Sequence, residues 1–177
     1  MTNPLMSIMG WYAVALDSMR ITERVINKDM RAAITNRHVF RRHESKEISL
    51  ASIKGAEREL ADLVVLSLVA TFERTLRDHV MERPGRIIVS DDPVDAAIHE
   101  AILNDIEYWR IADRLIGIFE KRIGSDLRGQ VRQIIGYRNW VAHGRATAIP
   151  PDGNVAPQFA FEQLTGFLER TGIIDPA

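Results

Sequence analysis

The sequence predicts an all-α protein, an up-and-down bundle of four long helices followed by a short C-terminal helix. Two observations support this fold class: apolar residues recur every three or four positions over long segments, and no stretch has a convincing strand pattern. The chain has 177 residues, of which 46% are hydrophobic, which is enough for one well-buried core and short for two. We therefore expect a single helical domain over residues 1–177.

The first two predicted helices make up the N-terminal half of the chain. The first runs from about Tyr12 to Arg42 and contains neither proline nor glycine. The polar, serine-containing stretch from His43 to Ser52 is predicted to be a turn. The second helix runs from about Ile53 to Arg83 and ends at a proline-glycine pair. Its middle, Leu63 to Phe72, is apolar on all sides, so this helix is expected at the centre of the bundle.

The third predicted helix follows an acidic pair and a proline at 91–93 and is closed by Gly124. A short extended segment at 87–89 precedes it. Its apolar stripe continues over some thirty residues and comprises Val94, Ile98, Ala101, Ile102, Ile106, Trp109, Ile116, Phe119 and Ile123. We expect one long helix that is an antiparallel neighbour of the fourth, because the connection between them is only a few residues long.

The fourth predicted helix begins at Ser125 or Asp126, either of which can cap a helix N-terminus. At about 100° per residue, its apolar residues lie within roughly 60° of Arg138. They are Leu127, Val131, Ile134, Ile135, Val141 and Ala142. Gly144 is the predicted stop. Residues 148–177 are predicted to form a turn and a packing helix that starts at Pro157 and ends at Gly172.

Composition excludes several classes of protein. The chain has no cysteine, which excludes disulfides, thiolate nucleophiles and cysteine-bound metals and fits a reducing cytoplasm. The longest apolar run is too short to span a bilayer, and Met1–Trp11 lacks the basic start of a secretory signal, so we expect a soluble cytoplasmic protein without membrane contact. His43-Glu44 and His99-Glu100 each lack the second histidine of a zinc-protease helix. No metal or other cofactor is predicted.

Charge is distributed unevenly although the formal net charge is only −1. Between Arg20 and Arg42 there are seven basic and two acidic residues, and between Asp126 and Arg145 there are four basic and one acidic. If these segments are adjacent, they form a surface that attracts phosphate. Two separate solvated helix faces are the alternative, and the sequence leaves both open.

Arg138 is the residue of the fourth helix that most needs explanation. An arginine keeps its charge and is costly to bury unpaired, so it must contact a carboxylate, a partner subunit or an anionic ligand. Glu73, on the apolar second helix, is the expected carboxylate. His143 follows at the helix end, one and a half turns later. A fixed cation close to an imidazole suits phosphate chemistry, since histidine exchanges protons near neutral pH.

The run Arg138-Asn139-Trp140-Val141-Ala142-His143 resembles the motif of the HEPN family (higher eukaryotes and prokaryotes nucleotide-binding). That motif is an arginine, four to six residues and a histidine near the end of a late helix, and an asparagine often follows the arginine. The likeness extends to the bundle layout and to Phe72-Glu73 on the second helix. Within the family the chain is most similar to RiboL-PSP and related toxin-like proteins.

The resemblance implies a metal-independent endoribonuclease whose active site forms at a homodimer interface. His143 would take a proton from a ribose 2′-hydroxyl, Arg138 would stabilise the phosphate, and Asn139 would fix the imidazole or touch the RNA. Glu73 would orient Arg138. The products would be a 2′,3′-cyclic phosphate and a 5′-hydroxyl. The protein would be a toxin or antiviral effector, with an antitoxin or other regulatory protein as partner.

Alternative interpretations remain open at this stage. The same fold could bind RNA or a nucleotide without cleaving it, or it could be a dimerisation bundle in which Arg138 pairs with Glu73. Tyr137 and Trp140 are predicted either to stack on bases or to fill the core or the dimer interface. Arg145 is predicted either to contact a phosphate or to be a solvated cation.

Overall fold

The computed structural model describes residues 2–28, 45–82, 104–105, 108–147, 150 and 153–176. Every regular element within these ranges is helical, which confirms the all-α class. The elements are α1 (Met6–Asn27), α2 (Lys46–Glu82), a π-helical turn (Ile111–Leu115), α3 (Ile116–Ile118), α4 (Glu120–Ile123), α5 (Ser125–Ala142) and α6 (Pro157–Arg170). Among the described helices, none is long and apolar enough to cross a membrane.

The chain divides into two compact units, one of Met6–Val64 and one of Met1–Leu5 with Val65–Ala177. Helix α2 contributes to both. The single domain and the up-and-down arrangement of four long helices stay predictions.

In the first unit, α1 starts six residues before the predicted position and is described to its end at Asn27, while predicted positions 29–42 lie outside the described residues. The predicted turn between 43 and 52 is wrong, because α2 already begins at Lys46. The Ser45 hydroxyl accepts a hydrogen bond from the Ile48 amide at 3.3 Å and caps the helix. Ser49 and Ser52 donate to carbonyls four residues earlier, so these serines are accommodated within a helix.

The second unit is built around three phenylalanines from different helical segments. The ring centroid of Phe167 lies 5.1 Å from that of Phe72 and 5.8 Å from that of Phe119, and both pairs are edge-to-face. Leu68 and Leu76, which lie four residues before and after Phe72 on α2, are fully buried. The expectation that α2 is central because Leu63 to Phe72 is apolar on all sides needs correction at Leu63, which is exposed.

The long third helix of the prediction is wrong in its described part. Tyr108 forms a turn and Arg110 is extended (φ −67°, ψ 129°) before the π-helical turn starts. The Arg77 guanidinium donates to the Trp109 carbonyl at 2.7 Å, which satisfies an oxygen that a continuous helix would have bonded internally. Arg114 packs over the Trp109 ring at 4.7 Å. The predicted segments at 83–103, with the strand at 87–89, lie outside the described residues.

Helices α5 and α6 lie close to their predicted positions. Gly124, at φ +76°, is the N-cap of α5, so the prediction of a Ser125 or Asp126 cap is wrong. The glycine reaches a backbone conformation that other residues avoid and turns the chain directly from α4 into α5. Helix α6 has Pro157 in its first turn and is followed by Gly172 at φ +71°, as predicted.

Candidate functional site

The buried face of α5 stops one turn before the helix does. Leu127, Val131, Ile134, Ile135 and Tyr137 are buried, whereas Val141 is half-buried and Ala142 is exposed. Arg138 has the angular position of the buried stripe but lies where that stripe opens to solvent, and it is half-buried. Its guanidinium is therefore accessible to a ligand, in contrast to the fully enclosed position that the helical pattern suggested.

The Arg138 guanidinium is held by its neighbour in sequence. Its Nη1 donates to Oδ1 of Asn139 at 3.0 Å, and no carboxylate of the described residues forms an ion pair with it. The expected pair with Glu73 is not formed, because Glu73 accepts from Arg77 one turn later on α2 at 2.6 Å. The charge of Arg138 is thus not neutralised within the described part of the chain.

His143 is the C-cap of α5, with φ −91° and ψ 20°, and it is exposed. Its backbone amide donates to the Asn139 carbonyl at 3.0 Å, which anchors the main chain. The imidazole forms no hydrogen bond or ion pair with the described residues. Both ring nitrogens are consequently available for a substrate or for a partner chain.

The backbone beyond His143 is fixed by a Schellman motif. The Gly144 amide donates to the Val141 carbonyl at 3.0 Å, and the Arg145 amide donates to the Trp140 carbonyl at 2.9 Å. Gly144 has φ +74°, as its predicted role as helix stop requires. Arg145 also has a positive φ of 56°, which costs free energy in any residue except glycine. Two successive left-handed residues therefore turn the chain sharply after the imidazole.

The Trp140 side chain connects helix α5 to the residues that follow this turn. Its indole Nε1 donates to the Thr147 carbonyl at 3.0 Å and to the Thr147 hydroxyl at 3.1 Å. The Arg145 guanidinium carbon lies 6.0 Å from the Trp140 ring centroid, and the Tyr137 ring lies 5.6 Å away on the helix. Trp140 and Thr147 thus close a loop of six intervening residues that contains His143, and nothing in the apolar periodicity indicates the role of Thr147.

The structure gives the surroundings of two predicted supporting residues. Tyr137 is buried, which fits the alternative in which its ring fills the core. Arg145 is half-buried against Trp140 and is not simply solvated. The structure thus brings Arg138, Asn139, His143 and Arg145 to the end of α5 and leaves Glu73 in another ion pair.

The geometry of the helix limits what this end can do. Arg138 and His143 are five residues apart, which separates them by roughly 140° around α5, whereas Asn139 and His143 are only about 40° apart. By reaching Asn139, the guanidinium moves toward the imidazole side. The carbonyls at a helix C-terminus repel anions, so a phosphate at this end depends on the positive charges of Arg138 and Arg145.

Metal chemistry has no preformed site in the described ranges, where no three or more His, Asp or Glu residues are grouped so as to hold an ion. Comparison of the chain with family models, curated proteins and solved structures finds no match. The candidate function therefore rests on the geometry at the end of α5.

Proposed function

We propose that the protein is a metal-independent endoribonuclease of the HEPN type whose active site is the C-terminal end of α5. The observation that carries this proposal is the state of two side chains. Arg138 has a guanidinium that is oriented by Asn139 but not neutralised by a carboxylate of the described residues, and His143 presents an exposed imidazole five residues later. A fixed cation and a proton acceptor are the two groups that RNA cleavage without a metal requires.

The reaction begins when the His143 imidazole takes the proton of a ribose 2′-hydroxyl. The 2′-oxygen then attacks the adjacent phosphorus, a bond forms between them, and the bond from phosphorus to the 5′-oxygen of the next nucleotide breaks. The products are a 2′,3′-cyclic phosphate and a 5′-hydroxyl, and the leaving oxygen receives a proton from a second imidazole. Histidine serves in both steps because it gains and loses protons near neutral pH.

Arg138 stabilises the negative charge that increases on the phosphate oxygens in the transition state. Its planar guanidinium can donate two parallel hydrogen bonds to such oxygens. Asn139 holds one edge of that guanidinium, so less freedom is lost when the phosphate binds. Arg145, two residues after His143, adds a second positive charge at this end of the helix.

A homodimer supplies the second imidazole in this proposal. Each chain offers one His143 at the end of α5, and general base and general acid are separate tasks in one turnover. The stripe that buries Leu127 and Val131 continues into Val141 and Ala142, which are not fully covered. A second copy of α5 could cover these residues and bring two His143 side chains to one cleft. Such a nuclease would act as a toxin or antiviral effector and would need a regulatory partner.

The second candidate function is RNA or nucleotide binding without cleavage. The separation of roughly 140° between Arg138 and His143 around α5 favours it, because a phosphate held by the guanidinium then lies away from the imidazole. The third interpretation, a purely structural ion pair between Arg138 and Glu73, loses its supporting contact because Glu73 pairs with Arg77.

The test is cleavage of a 5′-labelled oligoribonucleotide by the full chain in excess chelator. We expect products that end in a 2′,3′-cyclic phosphate, and no cleavage of an analogue with deoxyribose at the scissile position. His143→Ala and Arg138→Ala should each lower the rate by about 100- to 10,000-fold. Arg132→Ala, an exposed arginine on the same helix, is the matched control and should retain most of the activity.

Two results would decide against cleavage. Wild-type protein that binds the oligonucleotide but leaves it intact would favour the binding module. Cutting that persists in His143→Ala would assign the activity to other residues or to a contaminating nuclease, and the proposal would fall.

A further inference from the structure

Helix α1 carries a second apolar face that the fold of its own unit does not use. Three large apolar side chains on this face are exposed: Trp11 at 43%, Val14 at 68% and Ile21 at 60%. Isolated exposed apolar residues are common on protein surfaces, but a row of them along one helix marks an interaction surface. With the exposed Ser18 and the half-buried Val25 they form what we call the outer stripe.

The outer stripe is distinct from the face that α1 buries. Ile8 and Ile26 are buried, and Tyr12 lines a groove together with Ala61 of α2. Burial raises the pKa of the Tyr12 phenol above its ordinary value, an effect that Glu57 reinforces and Arg20 opposes. At about 100° per residue, the centres of the inner and outer faces are separated by roughly 130°. One helix thus presents two apolar faces, of which one is covered.

The spacing of the outer stripe is that of a coiled-coil seam. Positions 11, 14, 18, 21 and 25 alternate steps of three and four residues, so Trp11, Ser18 and Val25 take one core position of a heptad and Val14 and Ile21 take the other. Such a pattern fits another helix with the same repeat. A small ligand has no need of it, and a membrane surface would not require the small polar Ser18 at the centre.

We propose that the outer stripe of α1 pairs with the outer stripe of a second copy of this chain, in antiparallel orientation. Charge selects the copy and the register. If Ser18 faces the partner's Ile21 and Val14 faces the partner's Val25, Asp17 of each chain lies beside the partner's Arg24, and two ion pairs form across the seam. This inference does not rest on the proposed nuclease activity.

The competing antiparallel register is disfavoured by charge. It would place Trp11 opposite the partner's Ile21, which buries more apolar surface, but it would also place Asp17 opposite the partner's Asp17. Within its own chain Asp17 has only a long contact of 3.7 Å with Arg20, and both side chains are mostly exposed. Such a surface pair is weak and leaves Asp17 free to pair with Arg24 of the second copy.

The size of the seam sets the expected strength. In the favoured register the two α1 helices overlap from residue 12 to residue 27, which is about 24 Å of helix at 1.5 Å per residue. A single pair of helices of this length buries an area at the small end of specific interfaces. We therefore expect a dimer with a dissociation constant on the order of micromolar.

The experiment measures self-association of the full chain by sedimentation equilibrium. Association at the end of α5 would be a separate step, and the dissociation constant meant here is that of the contact between outer stripes. Val14→Glu and Ile21→Glu should each weaken the dimer by about 100-fold, since each places two charges in the seam. Ala13→Glu, at an exposed position of α1 outside the stripe, is the matched control and should leave the constant within about threefold. Circular dichroism of each variant establishes that α1 is retained.

A charge exchange tests the partner and the register together. Asp17→Arg alone and Arg24→Asp alone should each weaken the dimer several-fold, and the double variant should restore it. Because the chain has no cysteine, Ser18→Cys with Ile21→Cys should also yield a disulfide-linked dimer, whereas Ser18→Cys alone would link only a parallel pair.

Three results would overturn the proposal. They are a wild-type chain that is monomeric at 100-fold above the expected constant, a dimer that Ile21→Glu leaves unchanged, and a charge exchange that fails to restore affinity. A dimer insensitive to Ile21→Glu but weakened by substitutions at the end of α5 would support the nuclease interface and reject this one.

Discussion

The C-terminal ends of α5 and α6 have the same backbone geometry and opposite surroundings. Each ends in a Schellman motif with a glycine at a positive φ, Gly144 at +74° and Gly172 at +71°. After Gly172 the chain continues into Ile173 and Ile174, which are buried. After Gly144 it continues into Arg145, which is strained at φ +56° and follows the exposed His143 by two residues.

The polar groups at the two ends also differ in how they are used. At the end of α6 the Thr171 carbonyl accepts from Arg122 at 3.0 Å, and Arg170 in return donates to the Ile123 carbonyl at 3.1 Å. Cations therefore satisfy helix carbonyls there. At the end of α5 the two arginines contact neighbouring side chains. Arg138 contacts Asn139, Arg145 packs on Trp140, and the imidazole is left open.

The contacts of the charged and apolar side chains distinguish a structural helix end from one that is available for function. The end of α6 uses its apolar and charged side chains to close the core. At the end of α5, Arg138 and Arg145 are half-buried. Arg145 has a left-handed backbone conformation, which is costly for a residue other than glycine and persists only where surrounding contacts maintain it. Substitutions at the two ends should accordingly change different properties.

The largest effect on stability is expected in the core next to the end of α6. Phe167→Ala removes a ring that packs edge-on against Phe72 and Phe119 and should lower the free energy of unfolding by about 3–5 kcal/mol. Phe161→Ala, on the same helix but only half-buried, should cost clearly less. Urea denaturation measures both. Equal losses would mean that the three-ring cluster is not the core of this unit.

The second prediction concerns the two cap glycines. Gly144→Ala and Gly172→Ala should each lower the free energy of unfolding by about 1–2 kcal/mol, because each puts a residue with a Cβ into the left-handed region. The added Cβ would meet no other atom within 4 Å, so the loss comes from the backbone conformation and not from a clash. Gly129→Ala, inside α5 with open space around it, should instead raise it by roughly 0.5–1 kcal/mol. A neutral Gly144→Ala would contradict the motif at the end of α5.

A smaller effect should reveal the strain at Arg145. Both Arg145→Gly and Arg145→Ala remove the contact with Trp140, but only glycine relieves the positive φ. The glycine variant should therefore be more stable than the alanine variant by about 1 kcal/mol. Thermal unfolding of the two variants measures the difference, and the reverse order would show that residue 145 is not left-handed.

The smallest effect on stability is expected at His143. Its imidazole contacts no described residue through a hydrogen bond, so His143→Ala should change the free energy of unfolding by less than about 0.5 kcal/mol. Arg122→Met, which removes the hydrogen bond to the Thr171 carbonyl, should cost about 1 kcal/mol. If His143→Ala were the more destabilising, the end of α5 would be a structural end like that of α6.

Local rules predicted much of the fold and the residues at the end of α5. The stops at Gly124, Gly144 and Gly172 and the start near Pro157 follow from the backbone preferences of glycine and proline, which act within a few residues. The failed predictions depend on other information. Serine is common both in turns and at helix N-termini, so the serines at 45–52 fit either structure. The hydrogen bond from the Ile48 amide to the Ser45 hydroxyl shows that a helix begins here.

The sequence pattern could not predict contacts between residues that are far apart along the chain. The break before the π-helical turn is stabilised by Arg77, which is 32 residues from Trp109. The same arginine takes the carboxylate of Glu73 that was expected to pair with Arg138. The apolar stripe placed Arg138 at the centre of a buried face because periodicity gives an angle on the helix and not the point at which the neighbouring core ends.

Stabilisation of the protein by an RNA that cannot be cleaved measures phosphate binding at the end of α5 directly. With a 2′-O-methyl oligonucleotide at 100 times its dissociation constant, the free energy of unfolding of the wild type should rise by about 2.7 kcal/mol. Arg138→Met should unfold like the wild type without RNA and lose most of this gain at the same concentration. Stabilisation that is equal in both proteins, or absent from the wild type, would contradict a phosphate-binding role for the end of α5.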